Sequence, residues 1–233
     1  MAGRRTQDSA LRTPHSGPRP AASPTLEREW SLLQAGFRCI AGIDEAGRGA
    51  WAGPVMAAAV ILPATPSIAE ALRLVNDSKK LTPVQRQARR GEIESAALAW
   101  AVGSASHEEI DALGILPATR LAMARAVAAL AVQPDALLID AVRLPAVKVH
   151  QEVFNFADSI SLSVAAASIL AKTERDALMR ALDMTVPGYG FAAHKGYGTR
   201  THQAALRTLG ISPVHRRSYA PIRALLSIAV AAV

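Results

Sequence analysis

The stretch IDEAGRGAWAGP, residues 43–54, decides how the chain folds, because it joins two apolar runs through a glycine-rich turn. FRCIAGI precedes the turn, and VMAAAVIL follows it and ends at Pro63. Short apolar runs bounded by glycine and proline are typical of strands, so we predict a strand, a loop and a second strand. A dinucleotide-binding loop requires G-x-G-x-x-G at the start of a helix. Here the spacing is G-x-G-x-x-x-G and a strand follows, which argues against such a nucleotide site.

Downstream of this hairpin, helix and strand patterns alternate. Two segments begin with capping boxes, which mark helix starts: Thr82 with Gln85, and Ser106 with Glu109. The other predicted helices are 116–132, 163–182 and 200–210, and the other predicted strands are 97–106, 136–142 and 147–151. Strands interleaved with helices after an opening hairpin predict an α/β domain with a mixed sheet.

The composition narrows the classes of protein and of site. A net charge of +7 over 233 residues favours a polyanionic partner, nucleic acid first, although genome composition also produces arginine-rich surfaces. The single cysteine, Cys39, excludes an internal disulfide, argues against a cysteine zinc site and fits a reducing cytoplasm. No apolar run reaches the ~18 residues of a membrane span, so we expect no membrane partner. We also expect a monomer.

Acidic residues follow the ends of predicted strands. Asp44 and Glu45 end the first strand, and Asp140 ends the apolar run ALLID, where a buried carboxylate is costly unless it is hydrogen-bonded or bound to a cation. Asp158 precedes the alanine-rich helix. The alternatives are that Asp44 caps the turn, that Glu45 is solvated, and that Asp158 caps the helix.

Carboxylates gathered at one site would repel one another unless cations lay between them. Mg²⁺ and Mn²⁺ prefer oxygen ligands, and two such ions roughly 4 Å apart can activate a water and stabilise the leaving oxygen of a phosphodiester. In a basic protein, an all-carboxylate site indicates phosphoryl transfer on nucleic acid.

Five motifs together resemble the ribonuclease HII family. They are GIDEAGRGAWAGPV, NDSKKL, LLIDAV, ADSISLSVAAASILAKTERD and HKGYGTRTH, and they stand in the family's order over residues 41 to about 206. The resemblance implies a ribonuclease H-like mixed β-sheet flanked by helices, with a small helical C-terminal part. It implies a metal-dependent endonuclease that cuts RNA in RNA–DNA hybrids and single ribonucleotides in duplex DNA, leaving a 3′-hydroxyl and a 5′-phosphate. Residues 1–24 are rich in Arg, Ser, Pro, Gly and Ala without an apolar period, which predicts a disordered basic tail. The chain is therefore expected to divide into this tail, a catalytic domain (25–206) and a helical extension (207–233).

Site residues follow from the same motifs. The resemblance makes Asp44, Glu45, Asp140 and Asp158 the ligands of Mg²⁺ or Mn²⁺. It makes Gly47, Arg48 and Gly49 the loop that meets the sugar edge, where only small residues allow close backbone contact and where backbone groups can bind the 2′-hydroxyl. Tyr197 would contact the ribose, with Tyr189 as a nearby decoy. Lys79 and Lys172 resemble residues that approach the phosphates, although a solvated helix position fits Lys172 equally well.

Several other residues are assigned structural roles. We expect Asp77 and Ser78 to shape a loop, His202 to cap or pack, and Trp51 to pack. The alternatives are a general base at His202 and stacking of Trp51 on a nucleic-acid base. The segment HRRSYAPIR, residues 215–223, is expected to be a solvated arginine cluster, with contact to duplex phosphates as the alternative. Two other functions compete with the enzyme above: a nuclease for DNA alone, which needs no 2′-hydroxyl reader, and a nucleic-acid-binding module without catalysis.

Overall fold

A mixed β-sheet forms the centre of the protein in a computed structural model that describes residues 23–231. Within these residues the strands are β1 (Ile40–Ala46), β2 (Val55–Ile61), β3 (Ala99–Ala105), β4 (Ala136–Asp140) and β5 (His150–Phe154). Their order is β3-β2-β1-β4-β5. The pairs β3–β2 and β2–β1 are antiparallel, whereas β1–β4 and β4–β5 are parallel. The predicted mixed sheet is confirmed.

Helices flank the sheet and alternate with its strands along the chain, and the last four follow β5. They are α1 (Glu27–Gln34), α2 (Pro66–Ala71), α3 (Pro83–Ala96), α4 (His107–Leu113), α5 (Ile115–Ala128), α6 (Leu162–Thr185), α7 (Phe191–His194), α8 (Arg200–Leu209) and α9 (Ala220–Ala231). A 3-10 turn, Ala157–Ser159, precedes α6. None of the described helices is long and apolar enough to cross a membrane.

Most sequence predictions coincide with these elements. The hairpin forms as β1 and β2, and both capping boxes form at the starts of α3 and α4. Strand β5 begins at His150, later than the predicted 147–151, because the Gln151 side chain binds backbone groups of Leu144 and Val147 and holds the preceding segment as a loop. The short helices α2 and α7 were not predicted.

Two glycines let helices approach the two faces of the sheet. A Cβ on Gly42 of β1 would lie 2.2 Å from the carbonyl carbon of Ser163 in α6. A Cβ on Gly103 of β3 would lie 2.2 Å from the carbonyl oxygen of Ala122 in α5. Helices α4 and α5 therefore cover one face, where Ile43 and its neighbours form a core, and α6 covers the other.

The start of α6 is fixed by a buried carboxylate from α1. Glu29 is 2% exposed, and its Oε1 accepts hydrogen bonds from the Ser161 hydroxyl and from the amide and hydroxyl of Ser163. A negative charge at a helix N-terminus is favourable because the backbone amides there are unpaired. Ser161 itself caps α6 through the Val164 amide, so the alternative in which Asp158 caps this helix is wrong.

The C-terminal elements pack as a separate apolar cluster around Phe191, Met179 and Ile222. Helix α8 runs through the predicted boundary at residues 206 and 207, and the three-part division of the chain stays a prediction. Residues 1–22 of the predicted tail lie outside the described residues.

Candidate active site

Two carboxylates lie side by side at the ends of parallel strands. The register pairs Ile43 of β1 with Ile139 of β4, so Asp44 and Asp140 follow as neighbours at the carboxyl edge of that pair. Because side chains alternate along a strand, Asp44 points to the same face as Gly42, which is the face covered by α6. Asp44 is 3% exposed, and its Oδ1 accepts the Glu45 amide at 2.7 Å.

A third segment brings Asp158 to the same place. The Oδ1 of Asp140 accepts the amide of Ala157 at 2.9 Å, which ties the end of β4 to the 3-10 turn that carries Asp158. Two non-glycine residues beside these acids have left-handed backbone, Ala141 with φ 55° and Phe156 with φ 59°. Such conformations are costly and concentrate at functional sites.

Beside Asp44 lies a cavity of about 220 Å³ that the other acids line. Its wall consists of Glu45, Arg48, Lys79, Asp140, Ala141, Asn155, Phe156 and Asp158. Two basic side chains form ion pairs with the acids. Arg48 Nη1 lies 3.1 Å from Glu45 Oε1, and Lys79 Nζ lies 3.4 Å from Asp158 Oδ2. The structure therefore brings together all four predicted acids and the predicted Lys79.

Asp44, Glu45 and Asp158 share an environment that disfavours their charged forms. Burial raises the pKa of Asp44 well above its ordinary value, and repulsion from Glu45, Asp140 and Asp158 raises it further. Burial also raises the pKa values of Glu45 and Asp158, against the opposing effects of Arg48 and Lys79 respectively. The two basic side chains thus compensate the repulsion only in part, and further positive charge in the cavity would be stabilising.

The donor atoms suit a hard divalent cation. All four acids offer oxygen, and the buried Oε2 of Glu45 has no hydrogen-bond partner among the described residues. In the described part of the chain, no three acidic, histidine or cysteine side chains already stand in coordinating geometry. The Lys79 side chain, which pairs with Asp158, is 65% exposed, so it has room to leave the carboxylate to a cation.

The turn of Gly47, Arg48 and Gly49 (the glycine turn) lies against Tyr197. Glycine is required at position 47 for a packing reason that the sequence did not predict. Gly47 has φ 93°, and a Cβ there would lie 1.9 Å from Nε of the protein's own Arg175. Gly49 is exposed, and a Cβ there would lie 3.9 Å from Cε1 of Tyr197. The open surface at Gly49 is therefore consistent with the prediction that a small residue allows close contact with a sugar. At Gly47, the Arg175 side chain leaves no room for a Cβ.

The two candidate tyrosines have different surroundings. Tyr197 is 37% exposed, with the Lys172 ammonium 5.9 Å and the Arg175 guanidinium 5.6 Å from its ring centre. Tyr189 is buried, stacks on Phe191 and donates its hydroxyl to a backbone carbonyl. Only Tyr197 of this pair presents a ring that a substrate can reach.

Lys172 is ion-paired and not a solvated helix residue, and its contact with a phosphate stays a prediction. Its ammonium lies 2.6 Å from Asp176 Oδ1, and its side chain is 21% exposed. Asp77 and Ser78 behave as the predicted loop residues, since Asp77 accepts the Lys79 amide and Ser78 bonds the Ser168 hydroxyl.

Two arginines are buried that the sequence did not predict to be buried. Arg175 and Arg216 are both fully buried, and Arg175 donates to the carbonyls of Ala52, Pro54 and Lys195. The expectation that residues 215–223 form a solvated cluster is wrong for Arg216, which binds backbone carbonyls instead of water. Nothing in the spacing of either arginine distinguishes it from a surface residue.

A buried group of histidines lies beneath Tyr197. His202 Nε2 and His215 Nε2 are 2.9 Å apart, and the rings of His194 and His202 stack at 4.4 Å. Trp51 packs on His202, so both residues occupy the packing positions expected for them. Thr199 caps α8, because its hydroxyl accepts the backbone amide of His202, so His202 is not the capping residue.

This histidine group should make stability depend on pH. Burial lowers the pKa of His215 to about 4 from an ordinary 6.5, and His202, His107 and His194 act in the same direction. Between pH 6.5 and 4 the unfolded chain binds a proton that folded His215 does not, so stability falls as pH falls through this window. The melting temperature of the wild type should therefore drop more steeply below pH 6.5 than that of His215→Gln. Parallel pH profiles would show that His215 does not cause the loss.

Comparison with known proteins gives consistent matches. The family model described as Ribonuclease HII matches residues 41–222. A ribonuclease HII from Desulfitobacterium hafniense (strain Y51) is 53% identical over 203 residues, which cover 87% of this chain and 76% of that protein. The structure resembles that of ribonuclease H2 from Pyrococcus horikoshii OT3, with a TM-score of 0.69, 23% identity and coverage of 82% of this chain and 98% of that one. It also resembles Bst-RNase HIII in complex with Mn²⁺, with a TM-score of 0.62, 24% identity and coverage of 85% and 72%.

Proposed function

The chain belongs to the ribonuclease HII family and is a ribonuclease H that acts on RNA–DNA hybrids, and on this premise we propose that it also cuts at single ribonucleotides embedded in duplex DNA. The products are a 3′-hydroxyl and a 5′-phosphate. The observation that carries the proposal is the proximity of the exposed Tyr197 ring and the Gly49 backbone, next to a cavity lined by acids. We further propose that the enzyme acts in the cytoplasm as a monomer.

In this proposal Asp44, Glu45, Asp140 and Asp158 hold two divalent cations, Mg²⁺ or Mn²⁺. The support is their shared repulsion, their raised pKa values at three positions and the unpartnered oxygen of Glu45. When bound, the cations supply an activated water and stabilise the charge of the leaving oxygen. The protein's own part is to keep the four carboxylates aligned at one edge of the sheet, so that little rearrangement of the backbone is needed.

The sugar of the ribonucleotide would be read by the turn at Gly47, Arg48 and Gly49 together with Tyr197. Gly49 leaves backbone groups open to a 2′-hydroxyl, which both donates and accepts hydrogen bonds. The Tyr197 ring offers a flat surface on which the neighbouring deoxyribose can rest. Lys79 is exposed beside Asp158, where it can contact a phosphate once cations neutralise the acids.

The proposal is tested by cleavage of a DNA duplex that contains one ribonucleotide, in the presence of Mg²⁺ or Mn²⁺. We expect a single cut beside the ribonucleotide, and an all-DNA duplex of the same sequence should stay intact. A continuous RNA–DNA hybrid serves as the positive control, because the family's activity on hybrids is established. Cleavage of the hybrid without any cleavage at the single ribonucleotide would refute the proposal.

Removing the Tyr197 ring should weaken recognition of the ribose more than it weakens folding. The ring is partly exposed, so Tyr197→Ala should leave the melting temperature nearly unchanged while lowering kcat/KM for the single-ribonucleotide duplex by roughly tenfold, as expected for the loss of ~1–3 kcal/mol of stacking. Tyr197→Phe keeps the ring and should retain most of the activity. An unchanged kcat/KM for this duplex in Tyr197→Ala would show that the residue contributes only to packing.

A further inference from the structure

The carbonyl of Arg48, inside the glycine turn, is held by two side chains from the C-terminal segment. Arg216 Nη1 donates to this oxygen at 2.9 Å, and the Tyr219 hydroxyl donates to the same oxygen. Arg216 also donates through Nε to the Gly53 carbonyl at 2.9 Å, and its own backbone amide donates to the Trp51 carbonyl. The fully buried Arg216 therefore links the two ends of the loop between β1 and β2, residues 47–54, and restricts its conformation.

The preceding residue, His215, reaches the other proposed sugar-reading element. His202 Nδ1 lies 3.0 Å from the Tyr197 carbonyl, which only accepts, so Nδ1 carries the proton and Nε2 is an acceptor. His215 Nδ1 accepts the Ser212 amide at 3.0 Å, so its proton is on Nε2 and points to His202 Nε2 at 2.9 Å. These bonds form a directed chain from Ser212 to the Tyr197 carbonyl, and each ring must be a neutral tautomer.

We propose that His215 and Arg216 are positioning residues that set the placement of the Tyr197 ring relative to the glycine turn. One segment, residues 212–219, holds both elements, and it is anchored to the hairpin by a β-bridge between His215 and Ala52 and by the bond from the Gly53 amide to the Val214 carbonyl. Neither residue is among those that line the acid cavity, so each acts through Arg48 or through His202 and Tyr197. The inference rests on the proposed reading of the ribose by these two elements.

This arrangement assigns a function to a part of the chain outside the predicted catalytic domain. A hydroxyl on the sugar is recognised only if the turn and the ring stand at a fixed separation, because hydrogen bonds weaken steeply with distance and angle. Disturbing the segment should therefore reduce selectivity for the 2′-hydroxyl, whereas binding of cations by the four acids should not change.

Matched substitutions at His215 separate positioning from packing. His215→Asn keeps an acceptor for the Ser212 amide but loses the donor to His202, whereas His215→Gln keeps an N–H near the Nε2 position. At the turn, Tyr219→Phe removes the hydroxyl that donates to the Arg48 carbonyl and accepts from Arg216 Nη1, and Arg216→Met removes the guanidinium. Ile93→Val, in the core cluster between α3 and α6 that contains no residue of the segment 212–219, serves as a control for a lowered melting temperature.

The readout is the ratio of kcat/KM for a duplex with one ribonucleotide to that for a duplex with one 2′-fluoro nucleotide at the same position, with Mn²⁺ affinity measured by calorimetry. We expect His215→Asn and Arg216→Met to lower this ratio at least tenfold, mainly through KM, and Tyr219→Phe to lower it about threefold. His215→Gln, Ile93→Val and all Mn²⁺ affinities should stay within twofold of wild type.

The outcomes distinguish the inference from the function on which it rests. A wild type that does not prefer the ribonucleotide would overturn both. A wild type that prefers it, with His215→Asn and Tyr219→Phe equally selective, would overturn the positioning role alone. If Arg216→Met does not fold, the comparison of His215→Asn with His215→Gln and the Tyr219→Phe ratio decide the question.

Discussion

Replacing Asp44 with asparagine should lower the turnover of an RNA–DNA hybrid by about a thousandfold, which corresponds to ~4 kcal/mol of lost transition-state stabilisation. Asparagine keeps the oxygen that accepts the Glu45 amide but removes the negative charge that a cation needs. We expect the substitution not to lower the stability of the folded protein. Burial and three neighbouring carboxylates raise the pKa of Asp44, so a neutral side chain at this position relieves a cost in the metal-free protein.

The measurement is a single-turnover cleavage rate, accompanied by a melting curve without metal. The melting temperature of Asp44→Asn should equal or exceed that of the wild type. Asp135→Asn is the matched control, because Asp135 precedes the opposite end of β4 and binds the amides of Arg38 and Cys39. Full activity in Asp44→Asn would remove Asp44 from the metal site, and loss of activity in both variants would indicate a general effect of charge.

Gly42→Ala should destabilise the protein by roughly 3 kcal/mol or more, near or beyond the upper end for an overpacked core. The added Cβ would lie 2.2 Å from backbone atoms of Ser163, which a side-chain rotation cannot move. The start of α6 would have to shift away from β1. Because the turn that carries Asp158 immediately precedes α6, we expect the surviving folded fraction to lose activity as well.

Chemical denaturation gives the free energy of unfolding for this test. Gly91→Ala is the control, since Gly91 lies in α3 with open space around its Cα. Alanine is the better helix former, so this variant should gain about 0.5–1 kcal/mol. A Gly42→Ala protein as stable as the wild type would show that α6 does not lie as close to β1 as the structure has it.

Local patterns in the sequence predicted several elements, among them the strands that carry Asp44, Glu45 and Asp140. Proline and glycine at the ends of apolar runs gave the hairpin β1–β2, and capping boxes gave the starts of α3 and α4. The order of strands was not predictable in this way, because pairing of β1 with β4 joins residues almost a hundred positions apart. Periodicity shows which residues are buried, not which partner buries them.

The site was predictable where residue type alone indicates chemistry, as for carboxylates at strand ends. It was not predictable where long side chains reach across the fold. Lys79 meets Asp158 from 79 positions away, and Arg216 meets the Arg48 carbonyl from 168 positions away. Arginine is usually found at surfaces, so burial of Arg175 and Arg216 among backbone carbonyls runs against the expectation from composition.

The position of Mn²⁺ in crystals of the protein tests the central proposal most directly. Anomalous diffraction from crystals grown with Mn²⁺ should show the ion among the carboxylates of Asp44, Glu45, Asp140 and Asp158, with the Lys79 ammonium moved away from Asp158. Crystals saturated with Mn²⁺ that show no ion at these carboxylates, with Lys79 still paired to Asp158, would contradict it.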